Sequence, residues 1–463
     1  MNCNEALTKL AEETAMLKNT DAKQRLISLF DEGSFLELDK FSKNGSDPSS
    51  CYTAYGLVGG SPCYAFSQDI SVNFGAMGRM QAKKIKRVYD LASENGIPVV
   101  GIYDSNGAQV SEGIEALEAY SELIAVASKI SGVVPTISVI AGTCIGSSAV
   151  LASLADLVVA TEDSTIYVNS PKILDDKTDK VGKALTSAEN GLVNLLTQDV
   201  NEAIFAVKNL FTYLPQNNLA VAPFADYVPA NAFENKDAYS IVNSVVDGAS
   251  LFELSKEYAK DIITGFARVC GNPVGVVASN TESGYLSANA AKKAARFVRL
   301  CDAFSISVIT FVDCKGFLGN VEDEISGDVK AVATLTHAYA EATTAKIAII
   351  TGYAIGAGYI ALAGKTCGAD SVLAYPCAKI GTLEPSCAVQ LFCKEALAEG
   401  KTREELEKEY EDNDCSPFIA ASEGFVDDVI DPAETALKVT ALLEMLAGKR
   451  VNTMLKKHSN MPL

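Results

Sequence analysis

Histidine is nearly missing: His337 and His458 are the two in 463 residues. Chemistry built on histidine, as a general base or a zinc ligand, is therefore disfavoured. The twelve cysteines form no Cys-x-x-Cys pair and no metal-ligand spacing, so no metal site is expected. They read as small core residues of a protein kept in a reducing cytoplasm. Positive charge is scarce: 39 Lys and Arg face 58 Asp and Glu, for a net charge of −19. Such a surface argues against a nucleic-acid partner, although a local basic pocket for a small anion stays possible. The first nineteen residues contain no apolar run, so no secretory signal is expected.

What is present is bulk apolar sequence. Hydrophobic residues make up 48% of the chain and charged ones 21%, enough for two well-buried domains. No charge falls between Lys129 and Asp156, a stretch long enough to span a bilayer. Pro135, Gly142, Gly146 and several Ser and Thr interrupt it. A buried parallel strand followed by a small-residue helix accounts for it better.

The chain also repeats itself. Asp31–Leu38 (DEGSFLEL) returns as Asp247–Leu254 (DGASLFEL), 216 residues on. Ala82–Lys84 returns at Ala291–Lys293, and Ile97–Gly107 at Ile306–Gly316, both at an offset of 209. Gly142–Gly146 (GTCIG) returns at Gly352–Gly356 (GYAIG), an offset of 210. Four matches in one order predict two copies of a domain. Each copy reads as a helix carrying a Lys pair, a strand ending in Asp-x-x-Gly, another helix, then a strand whose Gly-rich turn opens a third helix. That alternation predicts a layered α/β fold. Tyr213–Tyr239, with three prolines, reads as a linker, and the expected domains are 1–238 and 239–463. Lys401–Asp414 reads as a charged, solvated helix.

A strand that runs through a glycine turn into a helix aims backbone N–H groups at one spot, and two such groups can hold an oxyanion. The first half offers Gly107–Ala108 and Gly146–Ser147; the second offers Gly316–Phe317 and Gly356–Ala357. One such turn is more simply explained by close packing of helix on strand. Four at matched places suggest two oxyanion holes, suited to a reaction in which two carbonyl groups gain negative charge. No catalytic side chain is then obligatory.

These residues carry a family resemblance. The chain resembles the carboxyltransferase subunits of biotin-dependent acyl-CoA carboxylases and decarboxylases over nearly its whole length. The marks are Tyr64–Asp69 (YAFSQD), Ala82–Ala92 (AKKIKRVYDLA), Asp104–Gly113 (DSNGAQVSEG), Thr264–Asn280 (TGFARVCGNPVGVVASN) and Ala294–Phe304 (AARFVRLCDAF). Thr310–Gly319, Gly424–Pro432 and Lys457–Leu463 add to them. The resemblance implies two tandem crotonase-like domains and a cytoplasmic homo-oligomer, a hexamer, whose sites lie between unlike domains of two subunits. It implies that residues 1–238 serve the acyl-CoA and 239–463 the biotin, with Gly146 and Ser147 at the thioester and Gly356 and Ala357 at the biotin urea. A short acyl-CoA, propionyl-CoA or methylmalonyl-CoA, is the implied substrate.

No Ala-Met-Lys-Met segment for a biotinyl lysine and no recognisable ATP loop are present. Biotin is therefore expected on a separate carrier protein. A biotin carboxylase or a membrane decarboxylase subunit is the other expected partner. Lys83, Lys84, Lys86 and Arg87 form a basic cluster that could meet CoA phosphates or simply be a solvated helix face. The chain departs from the family at Asn106 and Gln109, at Ser147 and Ala357 in place of glycine, and at Lys315 in place of proline. Two alternatives stay open: a crotonase-type hydratase or isomerase with Glu112 as its acid or base, and a catalytically weak structural subunit.

Overall fold

The computed structural model describes residues 3–15, 17, 19–44, 47–174, 177–233, 237–319 and 321–462. It divides into two compact units, Met1–Val221 and Ala222–Leu463.

In the first unit, β1 (Leu36–Leu38), β2 (Cys51–Val58), β3 (Ser61–Gln68), β4 (Val99–Ser105), β5 (Thr136–Ile145), β6 (Leu157–Thr161) and β8 (Leu195–Thr197) lie side by side in the order β1-β2-β3-β4-β5-β6-β8. The short β7 (Thr165–Tyr167) pairs with the far end of β5. Strands β1 to β3 are antiparallel, and the rest are parallel. Parallel pairs need crossovers, supplied by α1 (Arg79–Asn95) and α2 (Ile114–Ile130). Every residue of β4 is buried, as a strand covered on both faces requires.

The second unit repeats the plan with β9 (Phe252–Leu254), β10 (Ile262–Val269), β11 (Asn272–Ser279), β13 (Ser307–Cys314), β15 (Lys346–Ile355), β16 (Ser371–Ala374) and β18 (Asp428–Val429) in that order. A two-stranded pair, β12 (Tyr285–Leu286) with β14 (Gly316–Phe317), stands beside it, and β17 (Lys379–Gly381) pairs with β15. Its crossover helices are α4 (Ala288–Ala303) and α5 (Asp328–Glu341). The helices after the glycine turns are α3 (Ser147–Ser153) in the first unit and α6 (Ala357–Leu362) in the second.

The structure explains the first repeat match. Both carboxylate oxygens of Asp31 accept from the Gly59 and Gly60 amides, at 3.0 and 2.8 Å. Both of Asp247 accept from Cys270 and Gly271, at 2.8 and 2.7 Å. Each aspartate thus pins a two-residue hairpin turn whose residues all have positive φ.

The uncharged stretch is β5 followed by α3, and no described helix is long and apolar enough to cross a membrane. The 221–233 segment holds no helix or strand. The units part at Val221/Ala222, ahead of the boundary expected at 238/239. The reason is local: Pro223 accepts from Arg268, and Ala225 and Gly248 donate to Gly271 and Val228. These bonds tie the front of the linker to the second unit. Residues 234–236 of that linker, and residue 463 of the C-terminal motif, lie outside the described residues. The charged segment forms a helix, Arg403–Asp414, with a Thr402–Glu405 capping box.

Candidate active site

Strands β4 and β5 lose register between Tyr103 and Ser105, and β13 and β15 do so between Val312 and Cys314. The residue at each slip is the repeated aspartate. The Asp104 carboxylate accepts from the Thr143 amide at 3.0 Å and from Arg25 at 3.0 Å. The Asp313 carboxylate accepts from the Tyr353 amide at 2.8 Å. Each carboxylate lies against a glycine of the neighbouring strand, and a Cβ there would stand 2.4 Å from Asp104 at Gly142 and 2.3 Å from Asp313 at Gly352. The GTCIG and GYAIG repeats thus begin with a glycine because a carboxylate occupies the side-chain space.

Beyond these anchors the strands end in the predicted turns. Gly146 and Gly356 have φ of 60° and 53° with ψ of −130° and −123°, a conformation that only glycine adopts cheaply. Their own amides are taken: Gly146 donates to Tyr167 at 2.8 Å, and Gly356 to Gly381 at 2.9 Å. Gly107 donates to the Ser105 hydroxyl at 3.2 Å. These three glycines shape the turns, and their own amides are spent within the fold.

The next residue along each turn is different. Ala108, Ser147 and Ala357 have amides with no acceptor among the described residues, and all three reach solvent. Ser147 and Ala357 are first residues of helices, where no intrahelical acceptor exists. Gly316 and Phe317 form β14, and the flanking Lys315 and Leu318 amides bond to Gly284 and Leu286 at 2.7 and 2.8 Å.

The basic cluster is divided. Lys84 is buried, and its ammonium donates to the Cys51 carbonyl at 2.6 Å. Burial lowers its pKa. Its ammonium is buried against the start of β2, away from solvent. Lys293, its match in the second unit, donates to the Tyr258 and Ile262 carbonyls, both at 2.8 Å. Lys86 pairs with Asp90 at 2.8 Å, Arg87 pairs with Asp39, and Lys83 is exposed. Lys83, Lys86 and Arg79 line a 780 Å³ cavity whose other wall carries Glu112, Glu115, Glu118 and Glu122.

Glu112 accepts from the Arg79 amide at 2.7 Å, so its carboxylate caps α1. His337 lies 3.6 Å from Glu341, and His458 is exposed in the C-terminal segment. Neither histidine belongs to a turn. No group of three metal-ligating side chains occurs among the described residues.

This geometry stands beside clear relatives. The carboxyl transferase domain family matches residues 18–461. The chain belongs to that family. It is 36% identical to the methylmalonyl-CoA decarboxylase subunit alpha of Propionigenium modestum, over 96% of this chain and 93% of that one. It is also 36% identical to the propionyl-CoA carboxylase beta chain of Saccharopolyspora erythraea, over 98% and 92%. Its structure resembles the transcarboxylase 12S subunit solved as a hexamer with hydrolysed methylmalonyl-CoA bound. The TM-score is 0.91 at 33% identity, covering 99% of this chain and 95% of that one. The expected α/β fold of two tandem crotonase-like units is therefore the fold found, and the protein is a carboxyltransferase.

Proposed function

We propose that this carboxyltransferase moves a carboxyl group between carboxybiotin on a separate carrier protein and a short acyl-CoA. Propionyl-CoA and methylmalonyl-CoA are the proposed pair, since similar chains are named for them. The observation that carries the reading is the unspent amide after each glycine turn, at Ser147 in one unit and Ala357 in the other. The amide of Ala357, an exposed residue, suits a carbonyl oxygen such as that of the biotin urea. When bound, carboxybiotin supplies the activated carboxyl group and, once relieved of it, a ureido nitrogen able to take the acyl α-proton.

The chain's own part is electrostatic. The Ala108 and Ser147 amides hold the thioester oxygen and stabilise the negative charge it gains as the α-carbon loses its proton. The Ala357 amide, with Phe317, does the same for the urea oxygen. Donors fixed in place before the reaction need no reorganisation, and each is worth about 3–4 kcal/mol of barrier. Lys83, Lys86 and Arg87 remain the proposed contacts for CoA phosphates. We further propose a hexamer and partnership with a biotin carboxylase or a membrane decarboxylase subunit in the cytoplasm. The hydratase reading loses its acid, because Glu112 is engaged at the end of α1.

The test uses purified protein with methylmalonyl-CoA or malonyl-CoA, with and without free biotin. Biotin-dependent formation of propionyl-CoA is expected. A folded protein that turns over neither thioester, even with a biotinylated carrier, would instead be a structural subunit.

A further inference from the structure

The two turns are built alike but differ in charge. At the residue before the loop glycine, the first unit has Asn106 and the second has Lys315, 209 residues on. Lys315 is held at both ends. Its amide donates to the Gly284 carbonyl at 2.7 Å. Its stem crosses Gly284, where a Cβ would stand 2.9 Å from Cγ and Cδ. Its ammonium lies 4.6 Å from the centroid of the Tyr353 ring. Tyr353 is itself fixed, by its amide on Asp313 at 2.8 Å and its hydroxyl 3.5 Å from Glu411. Lys315 is half-buried and makes no ion pair among the described residues. A lysine with a locked stem and an unspent charge is unusual, because the entropy of ordering that side chain needs a return.

The chemistry at the two turns supplies a reason for the difference. The thioester carbonyl that the first turn meets is neutral until the transition state, so backbone dipoles suffice for its oxygen. A carboxylated urea arrives already anionic, so the second turn gains from a full positive charge. Resting on the carboxyltransferase reading above, we propose that Lys315 binds the carboxylate of the carboxylated urea at the second turn. Tyr353 is the positioning residue that holds the ammonium there.

Two probes test this in the full-length protein. Ureidoacetate is a stable urea bearing a carboxylate, and ureidoacetamide is its neutral counterpart. Binding is followed by saturation-transfer NMR titration. Lys315→Met, which keeps the stem, is expected to weaken ureidoacetate about tenfold and leave ureidoacetamide unchanged. Lys315→Arg should restore binding to within about threefold, and Tyr353→Leu should weaken it with the charge still present. In the transfer assay, Lys315→Met should raise the KM for the carboxylated donor about tenfold while the KM for propionyl-CoA stays within about twofold. Equal ureidoacetate binding by wild type and Lys315→Met, or equal weakening of both probes, overturns the assignment. Wild-type protein that transfers no carboxyl group overturns the carboxyltransferase reading and this one with it. Wild-type transfer with an unchanged donor KM in Lys315→Met overturns this one alone.

Discussion

Asp104 and Asp313 show how one side chain sets the position of a turn. Each carboxylate bridges a register slip and is received by a glycine on the next strand. Alanine at Gly142 or Gly352 would bring Cβ within 2.4 or 2.3 Å of carboxylate atoms, so the aspartate must move. We expect Gly142→Ala and Gly352→Ala each to cost about 1–3 kcal/mol in urea unfolding, the usual range for overpacking. Each should lower carboxyl transfer more than stability alone predicts, because the displaced aspartate carries the turn with it. Gly448, where an added Cβ meets nothing within 4 Å, is the control, and its alanine variant should stay within about 0.5 kcal/mol of wild type. Equal effects at all three sites would refute the anchoring role. The glycine repeat itself was plain in the sequence. What it receives was not, because a strand's neighbour across the sheet is invisible along the chain. The same limit hid the bonding at the turns: sequence located them, but not that the Gly146 and Gly356 amides are bonded to short strands further on.

At the scale of the element, α1 and α4 each carry a Lys pair, and in both the second lysine points into the sheet. A run of charges on a helix does not say which one faces inward, so sequence groups Lys84 with its more exposed neighbours. The signal available was the repeat itself, since Ala-Lys-Lys recurs at the same place in the other half. Lys293 makes the consequence measurable. Burial depresses its pKa to about 8, against Glu253 and Asp261, which act the other way. Below pH 8 the lysine is charged both folded and unfolded, and its burial costs stability. Between pH 8 and 10.5 the unfolded chain binds the extra proton, so this group's contribution rises with pH. The stability of wild type relative to Lys293→Met should therefore climb by about 1 kcal/mol between pH 8 and 9, where the protein stays folded. A difference that stays flat would mean that its three backbone carbonyls keep Lys293 charged throughout.

For the whole molecule, buried thiols push the other way. The sequence suggested that cysteines serve as core residues, and Cys51, Cys63, Cys144, Cys301, Cys314 and Cys415 are buried in the two units. Burial raises Cys51, Cys144 and Cys314 to about 12 and Cys415 to about 11. A folded pKa above the unfolded one means that the native state keeps its protons longer. Above pH 9 the unfolded chain therefore releases protons that the folded one holds, and stability falls. Each such thiol gives up ~1.4 kcal/mol per pH unit, so four together outweigh the single gain from Lys293. The net charge of −19 adds self-repulsion in the same direction as more acids ionise. We expect a steep loss of structure between about pH 9 and 10.5. The rise in thiolate absorbance at 240 nm from the buried cysteines should coincide with the loss of circular dichroism. Ionisation of all twelve thiols before any loss of secondary structure would show that the buried cysteines do not drive the transition.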